Sequence, residues 1–259
     1  MTSFHSGGVF RTGGAALLAS LLFLTPVLAG DGAVRERIEA RLVKAGLQEH
    51  GDVQVEMKDG VAVLSGFTLT LDARRAAEKA ARKEAKSVEN RLRVLPEKKT
   101  DAEVQETVAS AILRDPYYGV FDSVGVAVED GVVTLVGSVN RPWRKDDLDR
   151  RVARVEGVRE LRNEIRVQPV SSFDDRLRVE LYRRIYGSGT FARYASFPDP
   201  PVRIVVENGR ITLTGIVNSS VERAILGSIA RGTLAFAVDN QVQVESEIRK
   251  EPVRKTTPI

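Results

Sequence analysis

Catalysis at neutral pH most often recruits histidine, cysteine or converging carboxylates. This chain has two histidines and no cysteine in 259 residues. His5 lies in an apolar leader, which leaves His50 beside the loop glycine Gly51. A lone imidazole supplies one metal ligand where a site needs several. Thiolate chemistry is excluded outright. A Ser-His-Asp triad would have to use His50, and no Gly-x-Ser-x-Gly elbow accompanies it. Gly187-Ser188-Gly189 lacks the following Lys-Ser/Thr of a phosphate loop. Asp146, Asp147 and Asp149 cluster early in a predicted helix, where the helix dipole favours negative charge. A hydrolase would need two acids converging in a cleft, and nothing in the pattern supplies that. No catalytic residue, no metal ligand and no cofactor is expected.

The chemistry that the chain does offer is recognition. A predicted helix over residues 72–86 carries Arg74, Arg75, Lys79, Arg82, Lys83 and Lys86. Its apolar side is only Ala73, Ala76, Ala77 and Ala80. Such a basic face suits anionic headgroups. Local ion pairing with Asp72, Glu78 and Glu84 along a solvated helix accounts for it equally. Arg141-Pro142-Trp143-Arg144-Lys145 opens a second helix and holds the only tryptophan. A tryptophan among cations prefers a membrane–water interface; packing against a sheet edge is the competing role. The lipid-binding candidates are therefore Arg74, Arg75, Lys79, Arg82, Lys83, Arg141, Trp143, Arg144 and Lys145. Two aromatic stretches, Tyr117-Tyr118-Gly119-Val120-Phe121 and an insert with Tyr186, Phe191, Tyr194 and Phe197, either plug a small domain or form a binding lip.

The elements that position these residues are written three times. Asp59-Gly60, Asp130-Gly131 and Asn208-Gly209 favour a tight hairpin turn. Alternating apolar residues precede each turn, such as Val124, Val126 and Val128. A second short strand follows and closes on Gly66, Gly137 or Gly215. Upstream, Val34-Ile38-Leu42, Val104-Val108-Ile112 and Leu177-Leu181-Ile185 mark one helix face each. Asp31, Asp101 and Asp174 stand three residues earlier, as N-caps would. Downstream comes a second amphipathic helix, then a strand holding Asn90, Asn163 or Asn240. Those asparagines are expected to satisfy backbone groups near the last strand. The predicted fold is α+β: three tandem small domains, each helix–hairpin–helix–strand, with a three-stranded sheet against two helices.

This order, the turn glycines Gly60, Gly131 and Gly209, the closing glycines and the Val-x-Asn-x-Leu-x-Val ending resemble the BON domain of bacterial osmotically inducible and nodulation proteins. The second copy matches most clearly, including Gly157-Val158. In the first, Ser87-Val88 stands for Gly-Val, and in the third Phe236-Ala237-Val238 does. The resemblance implies exported proteins that bind phospholipid or other envelope components, serve envelope maintenance or stress, and have no catalytic residues.

The expected organisation is a signal peptide over 1–29, domains over 31–95, 100–168 and 172–246, and a disordered basic tail over 247–259. The leader has Arg11, an apolar run over 15–24, Pro26 and a small-residue cleavage site at Ala29. Without cysteine there is no lipoprotein anchor and no disulfide, which suits a periplasmic protein. No later segment is apolar enough to span a membrane. The 39 Lys+Arg against 35 Asp+Glu, net +4, is too even for a nucleic-acid binder. The expected partner is an anionic membrane surface or envelope polymer. The competing expectation is a chaperone-like module holding exported protein clients, by strand addition for example.

Overall fold

A computed structural model describes residues 27–95, 99–195, 197, 200–248 and 257–258. The expected signal peptide falls outside these residues up to 26, and the expected cleavage point after Ala29 lies in the first turn of the first helix. The first unit runs α1 (Val27–Lys44), β1 (Gly51–Lys58), β2 (Val61–Thr68), α2 (Leu71–Ala81), β3 (Ser87–Asn90) and β4 (Arg93–Val94). The second runs α3 (Asp101–Leu113), β5 (Ser123–Glu129), β6 (Val132–Val139), α4 (Pro142–Ala153), β7 (Glu160–Asn163) and β8 (Arg166–Val167). The third runs α5 (Ser172–Tyr186), the short α6 (Ala192–Ala195), β9 (Val202–Glu207), β10 (Arg210–Val217), α7 (Ser220–Arg231), β11 (Ala237–Asn240) and β12 (Gln243–Val244). The chain is thus α+β with three repeated units.

In each unit the hairpin is antiparallel, and the last strand returns through the second helix to lie parallel to the hairpin's second strand. That strand is interrupted in every copy, opposite the closing glycine of its neighbour. Asn90, Asn163 and Asn240 sit at the break. Each Oδ1 accepts the N–H two residues on, at Leu92, Ile165 and Val242. Each Nδ2 donates to the second helix: to Glu78 Oε2, Lys145 O and Arg223 O. The asparagine therefore fastens the last strand to that helix.

The register also corrects the alignment of the copies. Ser87 lies beside Val61 as Glu160 does beside Val132 and Ala237 beside Arg210. The partners of Gly157-Val158 are therefore Glu84-Ala85 and Leu234-Ala235, not Ser87-Val88 and Phe236-Ala237-Val238.

The hairpin turns have positive φ at both central residues, as in Asp130 (50°) and Gly131 (69°). The closing glycine answers a different demand. A Cβ on Gly137 would lie 2.1 Å from the Ser123 carbonyl oxygen. Asp31, Asp101 and Asp174 do not cap their helices as expected. Thr100 and Ser171 cap α3 and α5 instead, and α1 begins upstream of Asp31. The aspartates reach across to the hairpin turn. Asp101 accepts from the N–H groups of Asp130 (2.8 Å) and Gly131 (2.9 Å). Asp174 accepts from Asn208 (2.8 Å) and Gly209 (2.7 Å). Asp31 takes only Gly60, at 3.4 Å.

Each unit has its own core, built on the predicted helix faces; Val108, Ile112, Leu181 and Ile185 are fully buried. Leu71 of the first unit packs into the core of the second. Past the third unit, expected disorder is replaced at two places. Helix α8 (Glu245–Ile248) continues from β12, and strand β13 (Thr257–Pro258) pairs antiparallel with the edge strand β5, Thr257 opposite Val126.

Two outcomes follow for stability. Charge-assisted bonds to backbone are worth about 1.5–3 kcal/mol each when buried. Asp174 is fully buried and Asp101 half-buried. Melting temperatures of single alanine variants should therefore fall in the order Asp174→Ala, Asp101→Ala, Asp31→Ala, the first losing most. In the first unit, Arg41 and Arg37 of α1 hydrogen-bond to Glu84 and hold its carboxyl below the ordinary glutamate range. A lowered pKa stabilises the fold above that range, and the gain is lost as pH falls through it. Thermal melts from pH 7 down to 3 should show this acid loss in the wild type and less of it in Glu84→Gln.

Candidate functional site

The expected site residues divide into three groups by position. Arg74 is half-exposed on α2, and Arg75, Lys79, Arg82 and Lys83 are exposed. Arg82 is held by Glu78, with Nη2 at 2.6 Å. Arg75 pairs with Asp149 of α4 at 2.5 Å. Lys79, Lys83 and Lys86 enter no ion pair among the described residues. Two of the three carboxylates clustered on α4 are paired, Asp147 with Arg150 at 3.2 Å and Asp149 with Arg75, while Asp146 is exposed. No group of three metal-ligating side chains occurs among the described residues. His50 is exposed at the end of a short 3-10 turn.

Helix α4 begins with Pro142 at its first turn, where the missing N–H costs nothing. Consecutive residues on a helix point about 100° apart, and here that separates their fates. Trp143 is 49% exposed and meets Tyr117 edge-to-face, with ring centroids 5.6 Å apart at 86°. Tyr117 is 68% exposed. Arg141 is exposed and Lys145 half-exposed beside them.

Arg144 corrects the expectation, because it is buried to 1% exposure and cannot reach a headgroup. Its Nη1 lies 3.2 Å from Asp115 and its Nε 3.5 Å from Asp122. Its guanidinium also faces the Trp143 ring at 5.2 Å. Asp115 and Asp122 are themselves buried. Burial pushes the Asp122 carboxyl up, against the opposing pull of N–H bonds from Asn140 and Gly119 and of the Arg144 and Arg203 charges. Arg203 comes from the third unit, buried over the Tyr118 ring at 4.6 Å. Nothing in the sequence flagged this cluster. Its members are scattered over residues 115–203, with no spacing that brings them together.

The aromatic stretches split the same way. Tyr118 is buried, and its hydroxyl accepts the Val124 N–H at 3.0 Å. Phe191, Tyr186 and Tyr194 plug the third unit. Tyr117 and Phe197 stay outside. The half-buried Phe121 packs toward the third unit, 6.3 Å from Tyr182.

Contacts between units assemble the candidates. Arg75 meets Asp149, and Arg154 meets Asp72 at 3.3 Å. Position rises along α2 as it falls along α4, so these pairs run antiparallel. Lys79 on α2 therefore lies toward the α4 end that holds Trp143; the helix ends at Ala81, short of the predicted 86, so Lys83 and Lys86 lie past it. Between the second and third units, Ile204 N–H donates to Val120 O (2.7 Å), and Ser123 and Thr214 hydroxyls meet at 2.9 Å.

Three α+β units in tandem, each with its own small mixed sheet and core, define a class of repeated small domains. The chain belongs to the BON domain family: the family model matches at 30–96, 100–169 and 189–246, more than half of the chain. No curated protein sequence matches it. Two solved structures of CdsD, a structural protein of the type III secretion system of Chlamydia trachomatis, were found. The C-terminal domain is 16% identical over 81% of this chain and 96% of that one, with a TM-score of 0.25. A second CdsD structure is 17% identical over 85% and 100%, with a TM-score of 0.24.

Removing Arg144 would take a buried cation from two buried carboxylates, leaving Asp115 with Arg151 at 3.5 Å and Asp122 with the N–H groups of Gly119 and Asn140. Arg144→Met should cost about 3–5 kcal/mol, read by denaturant unfolding, whereas Arg141→Ala on the exposed side should leave the midpoint unchanged.

Proposed function

We propose that this chain is an exported, periplasmic, non-enzymatic envelope protein that docks reversibly on anionic phospholipid surfaces. One observation carries the proposal: the exposed Tyr117–Trp143 pair stands at the start of α4 with the exposed Arg141 and the half-exposed Lys145 beside it. Aromatic rings partition to the membrane interface, and neighbouring Lys and Arg meet phosphates. Arg141, Lys79 and Lys83 supply attraction; Arg74 and Lys145 add to it from half-exposed positions. Arg75 and Arg82 contribute less, being neutralised by Asp149 and Glu78. Weak contacts on linked units reinforce one another through effective concentration. No helix among the described residues is long and apolar enough to cross a membrane. Membership of the BON family supports an envelope role.

A second function has its own support. Strand β13 adds to the edge of β5, which shows that this edge accepts an extended segment. Exported protein clients could dock there by strand addition.

Residues 30–259 should pellet with phosphatidylglycerol vesicles and not with phosphatidylcholine, and the binding should fade between low and high salt. Each exposed cation near the surface adds on the order of 1 kcal/mol, so Lys79→Ala/Lys83→Ala should weaken binding about 30-fold. Trp143→Ala should lose vesicle affinity while keeping its melting temperature. A large stability loss with unchanged binding would return Trp143 to a packing role.

A further inference from the structure

The parallel register places three different residue pairs at one position, just ahead of the last strand. They are Glu84 and Lys86, Gly157 and Arg159, and Leu234 and Phe236. In the first unit Glu84 is engaged by α1. In the second, Gly157 takes φ of +90° and the Arg159 side chain bonds to the Asp130 carbonyl. The third unit alone puts large apolar side chains here, and it leaves them in water. Leu234 is 80% exposed and Phe236 78%.

The loop that carries them is fixed. Gly232 N–H donates to Ser228 O (3.1 Å), and Thr233 Oγ1 donates to Ala230 O (2.7 Å). Phe236 N–H donates to Gly209 O at 2.8 Å. The Phe236 ring stacks on Phe173, centroids 5.6 Å apart at 19°, and covers the turn so closely that a Cβ on Gly209 would lie 2.5 Å from it. A tip held this way loses little conformational freedom on being buried.

Charge identifies what buries it. Residues 231–237 read Arg-Gly-Thr-Leu-Ala-Phe-Ala, with no acid. Arg184 reaches the loop by donating to Gly232 O (3.0 Å), and Arg210 follows Gly209 directly. Arg184, Arg210 and Arg231 are all exposed. Of these, Arg184 shares its charge with Glu180 at 2.7 Å. An apolar tip with a basic rim matches an acyl boundary beneath anionic headgroups.

We infer that this loop of the third unit is a second insertion point for an anionic phospholipid bilayer, Leu234 and Phe236 entering the acyl boundary while Arg184, Arg210 and Arg231 meet phosphates. It rests on the membrane docking proposed above and extends that docking to a unit with no role in it so far.

The test uses residues 30–259 with phosphatidylglycerol and phosphatidylcholine vesicles. Leu234→Ser/Phe236→Ser should lower affinity for the anionic vesicles about tenfold or more, from the burial that two such side chains forfeit. Leu234→Ser alone keeps the Phe173–Phe236 stack and should lose part of that affinity at an unchanged melting temperature. In a Trp143→Phe background, Leu234→Trp should shift its emission to the blue only when anionic vesicles are added. Wild-type pelleting that the double variant matches, with no blue shift, overturns the insertion point and leaves docking through Trp143 standing. No pelleting by the wild type overturns both. A blue shift without vesicles, with sedimentation as a dimer that Leu234→Ser abolishes, makes the occupant a second copy of the chain and overturns the lipid assignment.

Discussion

The bond from the first helix to the hairpin turn is the constraint on which the second and third units depend. A two-residue turn with positive φ at both central residues points two N–H groups away from the ladder. Asp101 and Asp174 each accept both, across 29–30 and 34–35 residues of chain respectively. The same carboxylate lies in the first turn of its helix, where the dipole favours it. One side chain thus ties helix to hairpin. Register follows, because a slip of one residue would turn Val124 and Val126 to solvent. The Asn163 bridge performs the complementary task at the other end of the unit, tying the last strand to the second helix.

The two joints between units differ in kind. The first is held by the exposed pairs Arg75–Asp149 and Arg154–Asp72 and by Leu71 in the neighbouring core. Exposed pairs contribute about 0–1 kcal/mol and weaken with salt. The second buries Asp115, Asp122, Arg144 and Arg203 together under Tyr118. Losing a partner there is costly, and the same joint carries the Ile204–Val120 backbone bond and the Ser123–Thr214 hydroxyl contact. Trp143 stands beside Arg144 on α4, and its position is fixed by that buried neighbour. The Asp122 carboxyl, raised by burial, works against the acid loss expected at Glu84: its stabilisation is present below the ordinary aspartate range and is lost as pH rises through the raised value.

Periodicity made the repeated units legible. Helix faces, hairpin turns, closing glycines and the asparagine position all follow from spacing that one chain repeats three times. What spacing could not carry was direction. Arg141, Arg144 and Lys145 are equivalent as letters, yet Arg144 turns inward onto two carboxylates from a distant loop. Asp101 has the composition of a cap and the neighbours of a clamp, because Thr100 already fills the cap position. Alignment by the Gly-Val dipeptide was off by three residues in the first and third copies, since backbone pairing, not residue identity, fixes equivalence. Exposure is invisible to pattern as well: Tyr117 and Tyr118 are adjacent and identical, and one is buried while the other is not.

The same logic explains why function can differ among copies of one fold. Positions inside the clamp, the asparagine bridge and the helix faces are spoken for by packing and hydrogen bonds in every unit. The position ahead of the last strand is not. Its backbone bond to the turn is kept as Arg159 N–H to Gly131 O and Phe236 N–H to Gly209 O, both near 2.9 Å, and the side chain is free to vary. An ion pair, a glycine turn and an apolar tip have all been accommodated there without disturbing the sheet. Surface chemistry in this chain is therefore set where the fold makes its demands on the main chain alone, and each unit can present a different face.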